Sequence, residues 1–183
     1  MKVEPKEVRV RSAERHDWEA IEPLYLESFP ASENRRVGAL AKDLFSCRNS
    51  IGFLSLVALF RGDVVGHIAF SPVRLESDVR QGGSILAPLV VAPKVQRQGV
   101  GTILVELGFA RLADWGTEIV FVYGDPAYYG RFGFSSGAAE DFQPEYTLRY
   151  PFGWQAKPLA PHFRSDGVCR ITCVDALRDP TLW

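Results

Sequence analysis

The chain has 183 residues, of which 46% are apolar and 23% charged, and its formal net charge is −1. That length suits one domain, able to bury roughly 70% of the surface its unfolded chain exposes without help from a disulfide or a metal. The near-neutral charge offers no basic excess for a phosphate backbone, and no apolar run approaches the ~20 residues of a membrane span, so neither nucleic acid nor membrane is an expected partner.

Taken in chain order, Met1-Lys2-Val3-Glu4-Pro5-Lys6-Glu7 lacks the apolar core of a signal peptide, and the expected location is the cytoplasm. Val8–Arg11 alternates as a short strand. Asp17 is placed to cap a helix carrying Trp18, Ile21, Leu24 and Tyr25 on one face, with Pro23 predicting a later start or a kink. A polar loop, Phe29–Asn34, leads to a second helix with Val37, Leu40, Leu44 and Phe45 as its stripe. Phe53–Phe60 and Val64–Ser71 read as a hairpin around Arg61-Gly62-Asp63, with Ser71 before Pro72 as a turn residue. A turn over Asp78–Gly83 precedes a near-continuous apolar strand, Ser84–Val91.

A polar, glycine-bearing loop at Pro93–Gly101 then opens a helix whose apolar positions run from Ile103 to Trp115, with Gly116 as its stop. Glu118–Val122 is a strand, Asp125-Pro126-Ala127 starts a short helix ending near Gly133, and Phe134 opens a further strand. Residues 141–164 are rich in aromatics and proline without a clear period. A connection of that length is often functional, and it is expected either to cover a substrate site or make a subunit contact, or else to pack over the sheet. Val168–Val174 is the last strand; in it Cys169 and Cys173 share a face as small core residues, since no Cys or His cluster completes a metal site. The order predicts an α/β (α+β) fold, a mixed sheet flanked by helices in a single domain over 1–183.

The chemistry concentrates in Leu86–Gly101, where an apolar strand feeds a loop that becomes a helix N-terminus. First-turn amides of a helix lack internal partners, and the dipole adds positive charge, so such a terminus binds phosphate. Gly99 and Gly101 let backbone approach a diphosphate closely, and Gln96, Arg97 and Gln98 add side-chain donors. A P-loop is excluded because no Lys-Ser or Lys-Thr follows either glycine, and a dinucleotide fingerprint because position 104 is Leu.

Gln96-Arg97-Gln98-Gly99-Val100-Gly101 resembles the acyl-CoA motif of the GNAT N-acyltransferase superfamily. Tyr128-Tyr129-Gly130-Arg131-Phe132-Gly133-Phe134 resembles the same family's Tyr-x-x-x-Gly-Phe ending. Together with Gly124-Asp125-Pro126-Ala127 and Gly66–Pro72 they are similar to its YhbS-like bacterial branch, with the cofactor core at about 64–134. The resemblance implies a mostly antiparallel central sheet and an acetyl-CoA-dependent N-acetyltransferase without a metal. Leu89, Val90 and Val91 would line the pantetheine arm. Gln96, Arg97, Gln98, Gly99, Val100, Gly101 and Thr102 would hold the pyrophosphate. Tyr129 would be the general acid with Tyr128 beside it, and Asp125 would stand near where many relatives carry an Asn that meets the cofactor arm. Glu33, Glu27 and His67 are the candidates for the base. His16 and His162 are expected to do nothing chemical. The acceptor is an amine of a small molecule or a protein, and a homodimer is compatible. A CoA-binding sensor without catalysis, or transfer of a longer acyl group, remains open at this point.

Overall fold

A computed structural model describes residues 3–76, 82–165 and 167–183; the turn expected at Asp78–Gly83 lies outside them up to position 81. The chain divides into two compact units, Met1–Phe70 with Ala87–Gly108, and Ser71–Leu86 with Phe109–Trp183. Three elements, β3 (Asp63–Leu75), β4 (Gly83–Val91) and α3 (Val100–Asp114), contribute to both units.

In the first unit, β1 (Val8–Ser12), β2 (Leu54–Phe60), β3 and β4 lie side by side in that order. β2 pairs antiparallel with both β1 and β3, in register Arg11↔Val57 and Val57↔His67. β2 is buried almost throughout, as expected of a strand with neighbours on both edges and cover on both faces. α1 (Trp18–Ser28) and α2 (Asn34–Ser46) follow β1, and the Trp18 and Phe45 rings meet at 5.2 Å. Two details differ from the expectation. Pro23 sits inside α1 and does not delay its start; it removes the donor to the Glu19 carbonyl, but Glu19 is exposed and water can take that bond. Asp17 precedes α1, yet its carboxylate turns back to accept from Arg11 at 2.6 and 2.7 Å and from the Glu14 amide at 2.7 Å. The opening part of α3 packs tightly on β3. A Cβ at Gly66 would lie 3.0 Å from Leu104 Cδ1, and one at Gly108 would lie 2.4 Å from the Phe70 ring.

In the second unit the order is β3, β4, β5 (Ile119–Tyr123), β7 (Trp154–Pro158). β4 and β5 run parallel through Gly83↔Ile119 to Ile85↔Phe121, and β5 and β7 antiparallel through Ile119↔Pro158 to Tyr123↔Trp154. β8 (Cys169–Thr172) pairs with the end of β3 and, in parallel, with the two-residue β6 (Phe142–Gln143). Phe121 stacks on Trp154 at 5.3 Å and meets Phe142 edge-on at 5.1 Å. α3 ends as expected: Gly116 adopts φ +81°, its amide bonds Ala113 O, and the Thr117 amide bonds Leu112 O.

Several expectations for this unit are corrected. The 141–164 segment contributes β7 to the sheet; Trp154, Gln155 and Ala156 are all buried, so no wet face imposes an alternation. Phe134 opens no strand; Ser135 makes only an isolated bridge to Ala156. Trp115 lies beyond α3 and is 53% exposed. Ser71 is inside β3, buried, with no hydrogen-bond partner for its hydroxyl among the described residues. No helix among the described residues is long and apolar enough to cross a membrane.

Candidate functional site

The loop between β4 and α3 is braced by turns and side-chain hydrogen bonds. Pro93–Val95 forms a 3-10 turn with Val95 buried beneath it. Two left-handed residues follow, Arg97 at φ +59° and Gly99 at φ +86°. An L-residue in that region costs about 1–2 kcal/mol, so Arg97 stores strain that glycine at 99 avoids. Such outliers are kept where the backbone must aim its groups at a ligand. The Ile103 amide is the first to find a carbonyl in the helix, that of Gly99, at 3.0 Å. The amides of Val100, Gly101 and Thr102 precede it and have no acceptor within the helix. They carry the positive end of a 15-residue dipole.

The side chains of the loop divide. Gln96 Nε2 donates to Val91 O at 3.0 Å. Gln98 Oε1 accepts from the Val3 amide at 2.6 Å, and its Nε2 donates to Lys94 O at 3.3 Å. Both glutamines, expected as donors to a ligand, thus also hold the loop in shape, each spending one of its two amide N–H donors on a backbone carbonyl. Arg97 is exposed, and its side chain makes no hydrogen bond with a described residue.

On β4, Leu89 and Val91 are half-buried on one face, while Val90 points into the core. The Val91 carbonyl accepts from Gln96 and also from Ser28 Oγ at 3.2 Å. Ser28 was not singled out in the sequence, since a serine at a helix end reads as a cap.

His67 stands in the core at 0% exposure. Its Nδ1 is 2.7 Å from the Tyr25 hydroxyl and its Nε2 is 2.9 Å from Ser55 Oγ. Burial pulls its pKa down to about 3, against a weaker upward pull from Asp17. A neutral imidazole with both nitrogens engaged ties together two buried hydroxyls, and an amine in solvent does not reach it. Glu33 is exposed at the entry to α2, where its carbonyl accepts from the Val37 amide at 2.9 Å. Glu27 is exposed on α1. The other histidines of the sequence reading, His16 and His162, are both exposed.

In the second unit β5 runs out at Tyr123, and α4 (Pro126–Tyr129) begins under an Asp125 cap that accepts from the Ala127 amide at 2.9 Å. One Asp125 oxygen is thus committed to the helix. Tyr129 is held by Tyr128 and Phe134, ring to ring at 5.0 and 5.8 Å. Its ring lies so close to Gly124 that a Cβ there would stand 2.5 Å from Cε2. Burial, with Tyr128 adding to it, lifts the Tyr129 phenol above its ordinary value. The Tyr129 hydroxyl makes no hydrogen bond with a described residue. It is a protonated donor without an acceptor among the described residues. Tyr128 is drawn instead toward Arg131, whose guanidinium sits 4.1 Å from its ring centroid.

Among the described residues, no three His, Cys, Asp or Glu are arranged to hold a metal.

Residues 18–134 match the model of the Acetyltransferase (GNAT) family. The chain is 39% identical over 95 residues to the uncharacterized N-acetyltransferase YhbS of Escherichia coli strain K12, covering 50% of this chain and 56% of that protein. It is 39% identical over 92 residues to the uncharacterized N-acetyltransferase YjhQ of the same organism, covering 50% and 51%. It thus spans about half the length of the curated relatives it matches. Among solved structures it resembles E. coli YhbS in complex with CoA, with 31% identity, 91% of this chain and 90% of that chain covered, and a TM-score of 0.72. A GNAT family acetyltransferase from Brucella melitensis in complex with acetyl-CoA is 29% identical, with 88% and 94% covered and a TM-score of 0.68. The mixed, mostly antiparallel sheet flanked by helices is the fold of these relatives, as the sequence led one to expect.

Proposed function

The chain belongs to the GNAT acetyltransferase family, and from that premise we propose that it moves an acetyl group from acetyl-CoA to a primary amine by direct transfer. The observation that carries the reading is the cradle at Arg97–Thr102: two left-handed residues leading into unpaired first-turn amides, within the residues the family model matches. A diphosphate is the anion such a cradle fits. Arg97 adds a cation beside it. We assign the pantetheine arm to backbone groups at Leu89 and Val91, which are half-buried, and a further cofactor contact to Tyr128.

The reaction these residues serve is balanced as follows. The amine nitrogen, freed of one proton, attacks the thioester carbon. The C–N bond forms, the carbonyl becomes a transient oxyanion, and the C–S bond breaks as the carbonyl returns. Tyr129 gives its proton to the departing thiolate, and the nitrogen loses its second proton to solvent. A phenol with a raised pKa is fully protonated at neutral pH, which suits a proton donor better than a base. Glu33, exposed and with no hydrogen bond to its carboxylate from a described residue, takes the first proton through water. Binding both substrates together turns a bimolecular step into a local one. The donor is a cytoplasmic metabolite, so the reading keeps the chain in that compartment.

Calorimetry with acetyl-CoA tests it, with Gly99→Glu as the control. Wild type is expected to bind, and the variant, which sets a carboxylate at the diphosphate position, is not. Absence of binding of both acetyl-CoA and CoA to wild type overturns the reading.

A further inference from the structure

The end of β5 opens on a cleft of about 320 Å³ lined by Tyr123, Gly124, Asp125, Tyr150, Phe152 and Gly153. That is the lower end of the roughly 300–1,000 Å³ usual for small-molecule sites. Its walls are aromatic. The Tyr123 ring is held by stacking on Trp183 at 6.0 Å, and its hydroxyl accepts from the Tyr150 amide at 2.8 Å. This wall is rigid before any ligand arrives. Tyr150 and Phe152 face each other at 5.8 Å yet remain 49% and 66% exposed. Two large rings left this open beside a rigid third are unusual unless something apolar covers them.

Charge gives the cleft a direction. The guanidinium of Arg149 lies 5.2 Å from the Tyr150 ring centroid, which makes that end positive. Asp125 also lines the cleft, and its second carboxylate oxygen makes no bond with a described residue. A ligand with an apolar body and one ammonium lies with the body on Tyr150 and Phe152 and the ammonium toward Asp125. Gly124 lines the cleft and also carries the Tyr129 ring against its Cα, so the ammonium end is the one nearest Tyr129.

We propose that this cleft, built from Tyr123, Tyr150 and Phe152 with Asp125 at its mouth, selects the acceptor, and that the acceptor is a small primary amine on an aromatic or bulky apolar body. The assignment rests on the acetyl-transfer reading and adds to it the class of amine. Three rings make a wall wider than a polymethylene chain fills, which separates this ligand from an extended polyamine or a lysine side chain.

The test uses 2-phenylethylamine, putrescine and a blocked lysine amide, with wild type, Phe152→Ala and Tyr150→Ala. Both substituted side chains are largely exposed, so folding is not at risk. Binding of each amine is followed by saturation-transfer NMR without acetyl-CoA, and turnover by CoA release. Calorimetry with acetyl-CoA runs alongside on the same proteins. The expected result is saturation transfer to 2-phenylethylamine on wild type, lost in Phe152→Ala, with KM for that amine raised roughly fivefold or more in both variants and acetyl-CoA affinity unchanged. Equal or better use of putrescine or the lysine amide, or a KM unmoved by both substitutions, overturns the assignment. Failure of acetyl-CoA to bind overturns the transfer reading instead, and the amine titration still decides whether the cleft holds an aromatic amine.

Discussion

Acidification should weaken the fold through His67, and by an amount the structure sets. In the unfolded chain an imidazole titrates at its ordinary value of 6.5; in the folded chain burial takes it down to about 3. Between those values the unfolded state holds a proton that the folded state refuses. The stabilisation is therefore present above the unfolded value and drains away as pH falls toward the folded one. The slope approaches about 1.4 kcal/mol per pH unit, and from pH 6.5 to 5.0 the loss is about 1.6 kcal/mol. The Asp17 carboxylate adds a loss of the same sign only further down. Burial alone would raise its pKa, but the Arg11 and Glu14 bonds hold it below the ordinary carboxylate value, so its window lies beneath this one. Urea unfolding at the two pH values measures the loss, and the same pair of measurements on His67→Gln subtracts everything that is not this imidazole. An imidazole proton resonance of His67 that titrates near pH 6.5 in the native protein, or identical pH dependence in wild type and His67→Gln, would show the reasoning to be wrong.

Tyr129→Phe should lower kcat by about 10²-fold or more at neutral pH with acetyl-CoA affinity kept, as measured by CoA release beside calorimetry; an unchanged kcat removes Tyr129 from the proton path. Gly124→Ala puts a methyl 2.5 Å from the Tyr129 ring, and is expected to displace that ring and lower kcat by roughly tenfold while acetyl-CoA binding persists. Gly108→Ala drives a methyl to 2.4 Å from the Phe70 ring and should destabilise the protein by about 1–3 kcal/mol in urea unfolding. Glu33→Gln is expected to lower kcat/KM most at low pH, where free amine is scarce, and a uniform loss across pH would count against a base at that position.

The parts of the fold that the sequence discloses are those in which one physical demand acts alone. β1 alternates because one of its faces is wet. The turn from β4 into α3 was legible because an apolar strand, a glycine-bearing loop and a helix start are all written locally in Val90–Gly101. The parts it conceals answer two demands at once. Gln96 and Gln98 have the chemistry of ligand donors, but Val91 O, Lys94 O and the Val3 amide claim them, and Val3 is 95 residues away from Gln98 in the chain. His67 reads equally as a base or as a core residue until Tyr25 and Ser55, each on another element, are seen to hold its two nitrogens.

β7 is the instructive failure. Trp154, Gln155 and Ala156 are buried in succession, so neither the period of two nor an unbroken apolar run announces them. The strand is specified by what its neighbours provide: Trp154 lies flat on Phe121, the Ser135 and Ala156 backbones bond each other at 3.0 Å in both directions, and Gln155 Nε2 finds Gly124 O at 3.2 Å. That last contact fastens β7 to the glycine that carries Tyr129 and lines the aromatic cleft. The residue least expected in a buried strand, a glutamine, is therefore one of two ties from the 141–164 segment to Gly124, beside the bond from the Gly124 amide to Gly153 O at 2.9 Å. Gln155→Leu should keep the strand and its burial while removing one of those two ties and loosening Gly124. A kcat that falls with thermal stability unchanged is the expected signature. A parallel fall in both would mean that Gln155 only fills the sheet.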